Sequence, residues 1–317
     1  MEKKTVCRIL TGPTASGKSE IAFRMAREHG WEILCMDSMQ IYRGMDIGTA
    51  KPTPEEQRTV PHHLLDICDP KETYSVSAYT EEAERTVRKI ASQGHNVLFV
   101  GGTGLYLEGM VRGMTLGNTA ADAELRAELH ALADGPDGRQ LLDERLRKSD
   151  PVTADKLPLN DLRRRIRAIE VSETTGIPFS MQQDSKTESP FDWIIVSTCM
   201  EREHLYERIN RRVDRMIDAG LADEVRRLLE AGVPDDAQSM QAIGYKEMIP
   251  YIRGECTLEK ASEEIRTRTR HYAKRQITYL KRLENIRYTD TEAKDAYGQI
   301  EKIFTEPETK QNGKPQN

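Results

Sequence analysis

Residues Gly12-Pro13-Thr14-Ala15-Ser16-Gly17-Lys18-Ser19 fit the spacing G-x-x-x-x-G-K-[ST] at every constrained position. These residue types in this order make a phosphate cradle. The glycines let the backbone turn its N–H groups inward around phosphate oxygens, and the helix that follows points its positive end at the same place. Lys18 adds a full positive charge, and the Ser19 hydroxyl suits Mg²⁺. A cradle of this kind grips a polyphosphate end without naming the rest of the molecule. Three chemistries stay open: hydrolysis of ATP, transfer of a γ-phosphoryl group, and a transfer in which diphosphate is the leaving group.

Asp37 follows a short apolar run over residues 32–36. An aspartate there can ligate magnesium, serve an acceptor as general base, or cap the segment that follows. Gly101-Gly102-Thr103-Gly104 follows another apolar run. It reads as a tight turn, or as a site loop in which Thr103 donates or accepts a hydrogen bond. His62-His63 has no further ligand at metal-binding spacing and reads as structural.

Charge is spread unevenly. Arg163, Arg164, Arg165 and Arg167 fall within five residues, and the stretch 265–287 holds eight Lys or Arg against the single Glu284. Tyr272, Gln276, Thr278 and Tyr279 are interleaved there. Hydroxyls, amides and aromatic rings among cations suit phosphate contacts and base stacking on RNA. A solvated helix face has the same composition.

These groups need a scaffold. Short apolar, β-branched runs at 5–11, 32–36, 96–100 and 193–198, with a further one at 286–289, predict buried strands. Helical spacing lies between several of them. Strand and helix in alternation predict an α/β fold, a P-loop NTPase-like parallel sheet flanked by helices. The strand ends then bring the P-loop, Asp37 and Thr103 to one crevice. Residues 113–190 differ. They show helical patterns at 121–133, 139–147 and 159–174 and no strand, and predict an all-helical insertion. Long crossover helices are the alternative, but a crossover rarely needs so many residues. Further helices are predicted at 202–219, 221–231 and 258–283. The organisation expected is a core of 1–112 and 191–305, an insertion over 113–190, and a disordered polar tail over 306–317.

Bulk composition agrees with a globular enzyme. The 317 residues include 47 Lys or Arg against 52 Asp or Glu, a net charge of −5, which argues against a general nucleic-acid binder and leaves only local basic patches. Five scattered cysteines, with no Cys-x-x-Cys, read as free thiols in a reducing compartment. No apolar run approaches a membrane span. A cytoplasmic protein, and a monomer, is expected.

Several segments together resemble the tRNA dimethylallyltransferase, or tRNA isopentenyltransferase, family. They are GPTASGKS at 12–19, DSMQIYRGMDIGTAKP at 37–52, PHHLLDICDPKETYS at 61–75, GGTGLY at 101–106, NDLRRRIRAIEV at 160–171, QAIGYKE at 241–247 and AKRQITYLKR at 273–282. The resemblance covers residues 5 to 290. It implies transfer of a dimethylallyl group from dimethylallyl diphosphate to N6 of adenine 37, in the anticodon loop of tRNAs that read codons beginning with U. It implies that the P-loop holds the donor's diphosphate, although such loops are often labelled ATP-binding. Asp37 then matches the base that orients N6 and takes its proton, with Ser38, Met39 and Gln40 beside it on the RNA. Thr103 matches a residue near the flipped adenine. Lys18, with Mg²⁺ on Ser19, would stabilise the leaving group, and Arg208 and Arg212 are candidates to hold the diphosphate from the other side. Arg126, Asp161, Leu162 and Arg163–Arg165 in the insertion, and Lys274, Arg275, Gln276 and Thr278, would hold the tRNA anticodon stem-loop. Thr278-Tyr279-Leu280 departs from the expected Trp-containing pair. The zinc finger of eukaryotic members has no counterpart, which is the bacterial pattern. An adenylate isopentenyltransferase shares the donor but needs no RNA-binding apparatus. A P-loop small-molecule kinase would consume ATP, and a nucleotide-gated RNA binder would have no use for Asp37.

Overall fold

The computed structural model describes residues 4–112, 122–182 and 189–306. In chain order, β1 (Thr5–Thr11), α1 (Lys18–His29), β2 (Glu32–Cys35), α2 (Pro54–Thr59), β3 (His62–His63), α3 (Val76–Ser92), β4 (Val97–Val100) and α4 (Gly104–Arg112) come first. Five helices follow: α5 (Ala123–Asp134), α6 (Gly138–Ser149), α7 (Pro151–Lys156), α8 (Leu162–Thr175) and α9 (Phe179–Gln182). The chain then forms β5 (Phe191–Cys199), α10 (Arg202–Asp218), α11 (Leu221–Glu230), α12 (Tyr245–Ile252), α13 (Leu258–Leu280), β6 (Ile286–Asp290) and α14 (Ala296–Thr305).

Six strands pair in the order β3-β2-β4-β1-β5-β6, and every pairing is parallel. The expected α/β sheet is therefore present. Its central strands β2 and β4 and the middle of β1 and β5 are mostly apolar and buried, as suits a parallel sheet covered by helices, while the edge strands β3 and β6 are polar. Leu10, Ile33, Leu98 and Val196 pack with Ala22 and Met25 of α1 and with Ile300 and Phe304 of α14. The sequence missed β3. It is two residues long, lies at the sheet edge and is held by the register of Ile33 with His62, with no apolar run to announce it.

The chain divides into two compact units, Met1–Leu107 with Pro190–Asn317, and Glu108–Ser189. The described residues of the second unit carry helices and no strand. Its core joins Leu129 of α5, Leu142 and Leu146 of α6, and Ile166 and Ile169 of α8. The expected tail falls almost wholly outside the described residues.

Candidate active site

β1 runs straight into the P-loop. Gly12 passes so close to β5 that a Cβ there would stand 2.1 Å from Thr198 Oγ1, with φ at 138°. No other residue fits that spacing. Ser16 donates to Pro13 O (2.7 Å) and shares a hydrogen bond with Thr198 Oγ1 (2.6 Å), so β5 braces the loop from behind. Ala15, without a side chain that would clash severely, takes the left-handed φ of 64°. The loop ends at Gly17, and α1 starts at Lys18.

Lys18 is buried and donates to Pro13 O at 2.6 Å. Its pKa is lowered to about 7, mostly by burial. The Arg212 charge is the second cause of the lowering, and Asp37 opposes both. Arg212, on α10, is itself held below its ordinary value by burial, with Asp37 acting the other way. Its Nη2 donates to Thr49 O (3.4 Å). Arg208, one turn earlier on α10, donates from Nε to Ala15 O (2.8 Å). The helix thus sets two guanidinium groups beside the P-loop.

Asp37 follows β2. Its Oδ1 accepts from Met39 N–H (2.9 Å), and among the described residues no donor reaches Oδ2. Thr103, after β4, accepts at Oγ1 from Ser38 N–H (3.0 Å), and its own N–H donates to Met36 O (3.3 Å). Gly101 leaves room for that approach, since a Cβ there would meet Met36 O at 2.0 Å. Tyr272 of α13 sits within hydrogen-bonding reach of Thr103 and Gln276. Burial and the Asp37 charge push its phenol pKa up. Lys18, Arg212, Asp37, Thr103 and Tyr272 therefore gather at the carboxyl edge of the sheet, where ligands of open α/β sheets bind.

Not every expected contact residue faces outward. Gln40 donates from Nε2 to Thr49 O (3.0 Å) and Ala50 O (3.3 Å), while its Oε1 accepts from Cys35 Sγ–H (3.2 Å). Gln276 is 7% exposed and faces the site loops rather than solvent. Lys274, Arg275 and Thr278 of the same helix are exposed. Arg165 is a correction to the expected RNA surface. It is 1% exposed, pairs with Asp143, and donates to the carbonyls of Pro158 (2.9 Å), Ala154 (3.2 Å) and Leu157. Arg163 and Arg164 are exposed, with Arg164 paired to Asp161, the N-cap of α8, while Leu162 packs into the helical core. Arg126 and Arg167 both pair with buried Glu170 (2.8 Å each).

Sequence reasoning overlooked Glu224. Its carboxylate, 3% exposed, accepts from the N–H groups of Asp46 (3.0 Å), Ile47 (2.9 Å) and Gly48 (3.1 Å) and from the Tyr245 hydroxyl (2.5 Å). It ties α11 and α12 to the segment that carries Gln40 and Thr49. The signal was present: Glu224 lies in the stripe Leu221, Val225, Leu228, where an acid on an apolar face requires donors. His62 and His63 are structural, the first on Val60 O (2.7 Å) and the second on the Glu32 carboxylate (2.6 Å).

A P-loop, an aspartate and a threonine at one edge of a parallel sheet define a P-loop-like α/β protein. The profile of the IPP transferase family matches residues 40–283, and the chain belongs to that family. A tRNA dimethylallyltransferase of Pelotomaculum thermopropionicum is 44% identical over 291 residues, 92% of each chain. One of Thermotoga neapolitana is 47% identical over 278 residues, 87% of this chain and 90% of that one. Among solved structures, the full-length tRNA isopentenylpyrophosphate transferase of Bacillus halodurans superposes with a TM-score of 0.70 at 39% identity, covering 95% of this chain and 96% of the other. A eukaryotic dimethylallyltransferase acting on tRNA gives a TM-score of 0.74 at 29% identity, covering 91% of this chain and 74% of its own.

Proposed function

We propose that this chain transfers a dimethylallyl group from dimethylallyl diphosphate to N6 of adenine 37 in the anticodon loop of tRNAs reading codons that begin with U. The observation that carries this reading is the pairing of two sites on one sheet edge. One is a cationic cradle for a leaving diphosphate, and the other is a carboxylate with an unpartnered oxygen for an amine. In the reaction, the allylic C–O bond breaks and its electron pair goes to the diphosphate. The P-loop N–H groups, Lys18, Arg208 and Arg212 take up that charge. The N6 lone pair forms the new C–N bond, and the N6 proton passes to Asp37 Oδ2. Thr103 positions the acceptor.

Mg²⁺ fits as a partner of the donor's oxygens. Among the described residues no group of three His, Cys, Asp or Glu could cage a metal, and Ser19 is exposed at the start of α1. Mg²⁺ takes few protein ligands when substrate phosphates are available. When bound, it neutralises charge on the leaving group. Arg163, Arg164, Lys274, Arg275 and Thr278 are read as contacts to the RNA backbone. Among the described residues no helix is long and apolar enough to cross a membrane, and the five cysteines are free thiols. We read the protein as a cytoplasmic monomer.

The test is incubation with Mg²⁺, dimethylallyl diphosphate and either an anticodon stem-loop carrying adenines 36 to 38 or free AMP. A five-carbon mass gain on the RNA alone is expected. Gain on AMP alone would make the protein an adenylate-modifying enzyme. Asp37→Ala should lose transfer by about 10²–10⁴-fold while stem-loop binding is retained.

A further inference from the structure

The donor and the acceptor sit on different loops, and the sheet does not fix the distance between those loops. β1 and β4 pair up to Leu10 with Val100, and the ladder's last bond is Gly101 N–H to Leu10 O (3.3 Å). Beyond it no backbone hydrogen bond among the described residues joins the P-loop to the Gly101–Gly104 turn, although Gly12 O stays close to Gly102. One side chain links them by hydrogen bonds. Gln276 Oε1 accepts from Thr14 N–H (2.8 Å), and Gln276 Nε2 donates to Gly102 O (2.9 Å). The fit is tight, for a Cβ on Gly102 would stand 2.2 Å from that nitrogen. The helix that carries the amide is seated firmly: Ala273 packs with Leu205 and Ile209 of α10, and Leu280 is buried.

We propose that Gln276 is a positioning residue that sets the separation between the diphosphate loop and the acceptor loop, and with it the line of attack. This rests on the transfer reading above. A displacement at carbon requires the nitrogen about 3–3.5 Å from the reacting atom, and a misplacement of about 1 Å costs on the order of 10²-fold in rate. A neutral amide is the side chain that presents an acceptor to one loop and a donor to the other. A carboxylate keeps the first half and repels the carbonyl at the second. The bridge orders two loops without touching either substrate, so its loss changes turnover rather than affinity.

The test is Gln276→Glu, with kcat and both KM values measured across pH 5.5–8.5 against the unaltered enzyme. We expect kcat to fall by about 10- to 100-fold near pH 8, with each KM within about twofold. The ratio of variant to unaltered kcat should rise as pH falls, because a protonated carboxyl donates to Gly102 O again. A merely destabilised fold would not recover on acidification. A flat ratio, an unchanged kcat, or a raised KM for the stem-loop with kcat intact would overturn the proposal, the last by making Gln276 an RNA contact. If Gln276→Glu does not fold, Gln276→Ala in single turnover reads the same fall in rate, and a normal rate overturns it. Absence of transfer by the unaltered enzyme would instead refute the transfer reading itself.

Discussion

Each unit of this protein buries a cation, and the two are buried differently. Arg165, in the helical unit, is met by a carboxylate and three backbone carbonyls. Four of its five N–H donors are engaged at home. Lys18, in the sheet unit, has the Pro13 carbonyl at 2.6 Å, and the nearby Arg212 charge raises the cost of its own. A buried charge that is fully matched is architecture, and one that is undermatched is a site waiting for an anion. Burial alone does not distinguish them, but the partners do.

Breaking each cation in turn tests the contrast. Arg165→Ala should cost about 3–5 kcal/mol, because it removes a donor from three carbonyls, of which Pro158 O keeps the Asp161 N–H, and leaves Asp143 with Arg147 alone. Urea unfolding would measure the loss, and transfer per folded molecule should be unchanged. Lys18→Ala should do the reverse. It should lower the transfer rate by about 10²–10³-fold, with a melting temperature equal to or above that of the unaltered chain. Loss of activity in the first variant, or of stability in the second, would erase the distinction.

A smaller effect concerns protons. In the free protein the Lys18 pKa is about 7, and a bound diphosphate raises it. Below pH 7 the ammonium is present in both states, so affinity does not depend on its titration. Above pH 7 binding must take up a proton. Affinity for inorganic diphosphate should therefore weaken by about tenfold per pH unit until the bound-state pKa is reached. Calorimetry in buffers of different ionisation heat would detect the uptake, and Lys18→Arg should flatten the dependence. The smallest effect belongs to the exposed arginines. Replacing Arg163 and Arg164 together should reduce the salt slope of stem-loop binding by about one to two. An unchanged slope would return both to the solvated helix face.

What was legible in the sequence divides along similar lines. Buried parallel strands announce themselves as apolar runs, and the P-loop by spacing, so the sheet and its ligand edge were readable. β3 was not, because two edge residues hold no pattern. Arg165 stands in a run of arginines, which reads as surface. Helical spacing nonetheless places it with Leu162, Ile166 and Ile169 on the apolar stripe. Gln276 lies likewise between Ala273 and Leu280, and Glu224 between Leu221 and Leu228. A polar residue inside an apolar stripe signals an internal partner, but the partner's identity is not local. Thr14 lies 262 residues from Gln276, and no window of sequence spans that distance.

That separation also has a meaning in time. At roughly 5–20 residues per second, a ribosome takes roughly 10–50 s to travel from the P-loop to the glutamine that ties it to its neighbour. Throughout that interval the nascent chain holds the anion cradle without the brace from β5 at first, and without the bridge until almost the end. A chain released early would hold the cradle and lack the alignment for transfer. Catalytic competence in this molecule thus trails the motif that advertises it by the whole of that interval.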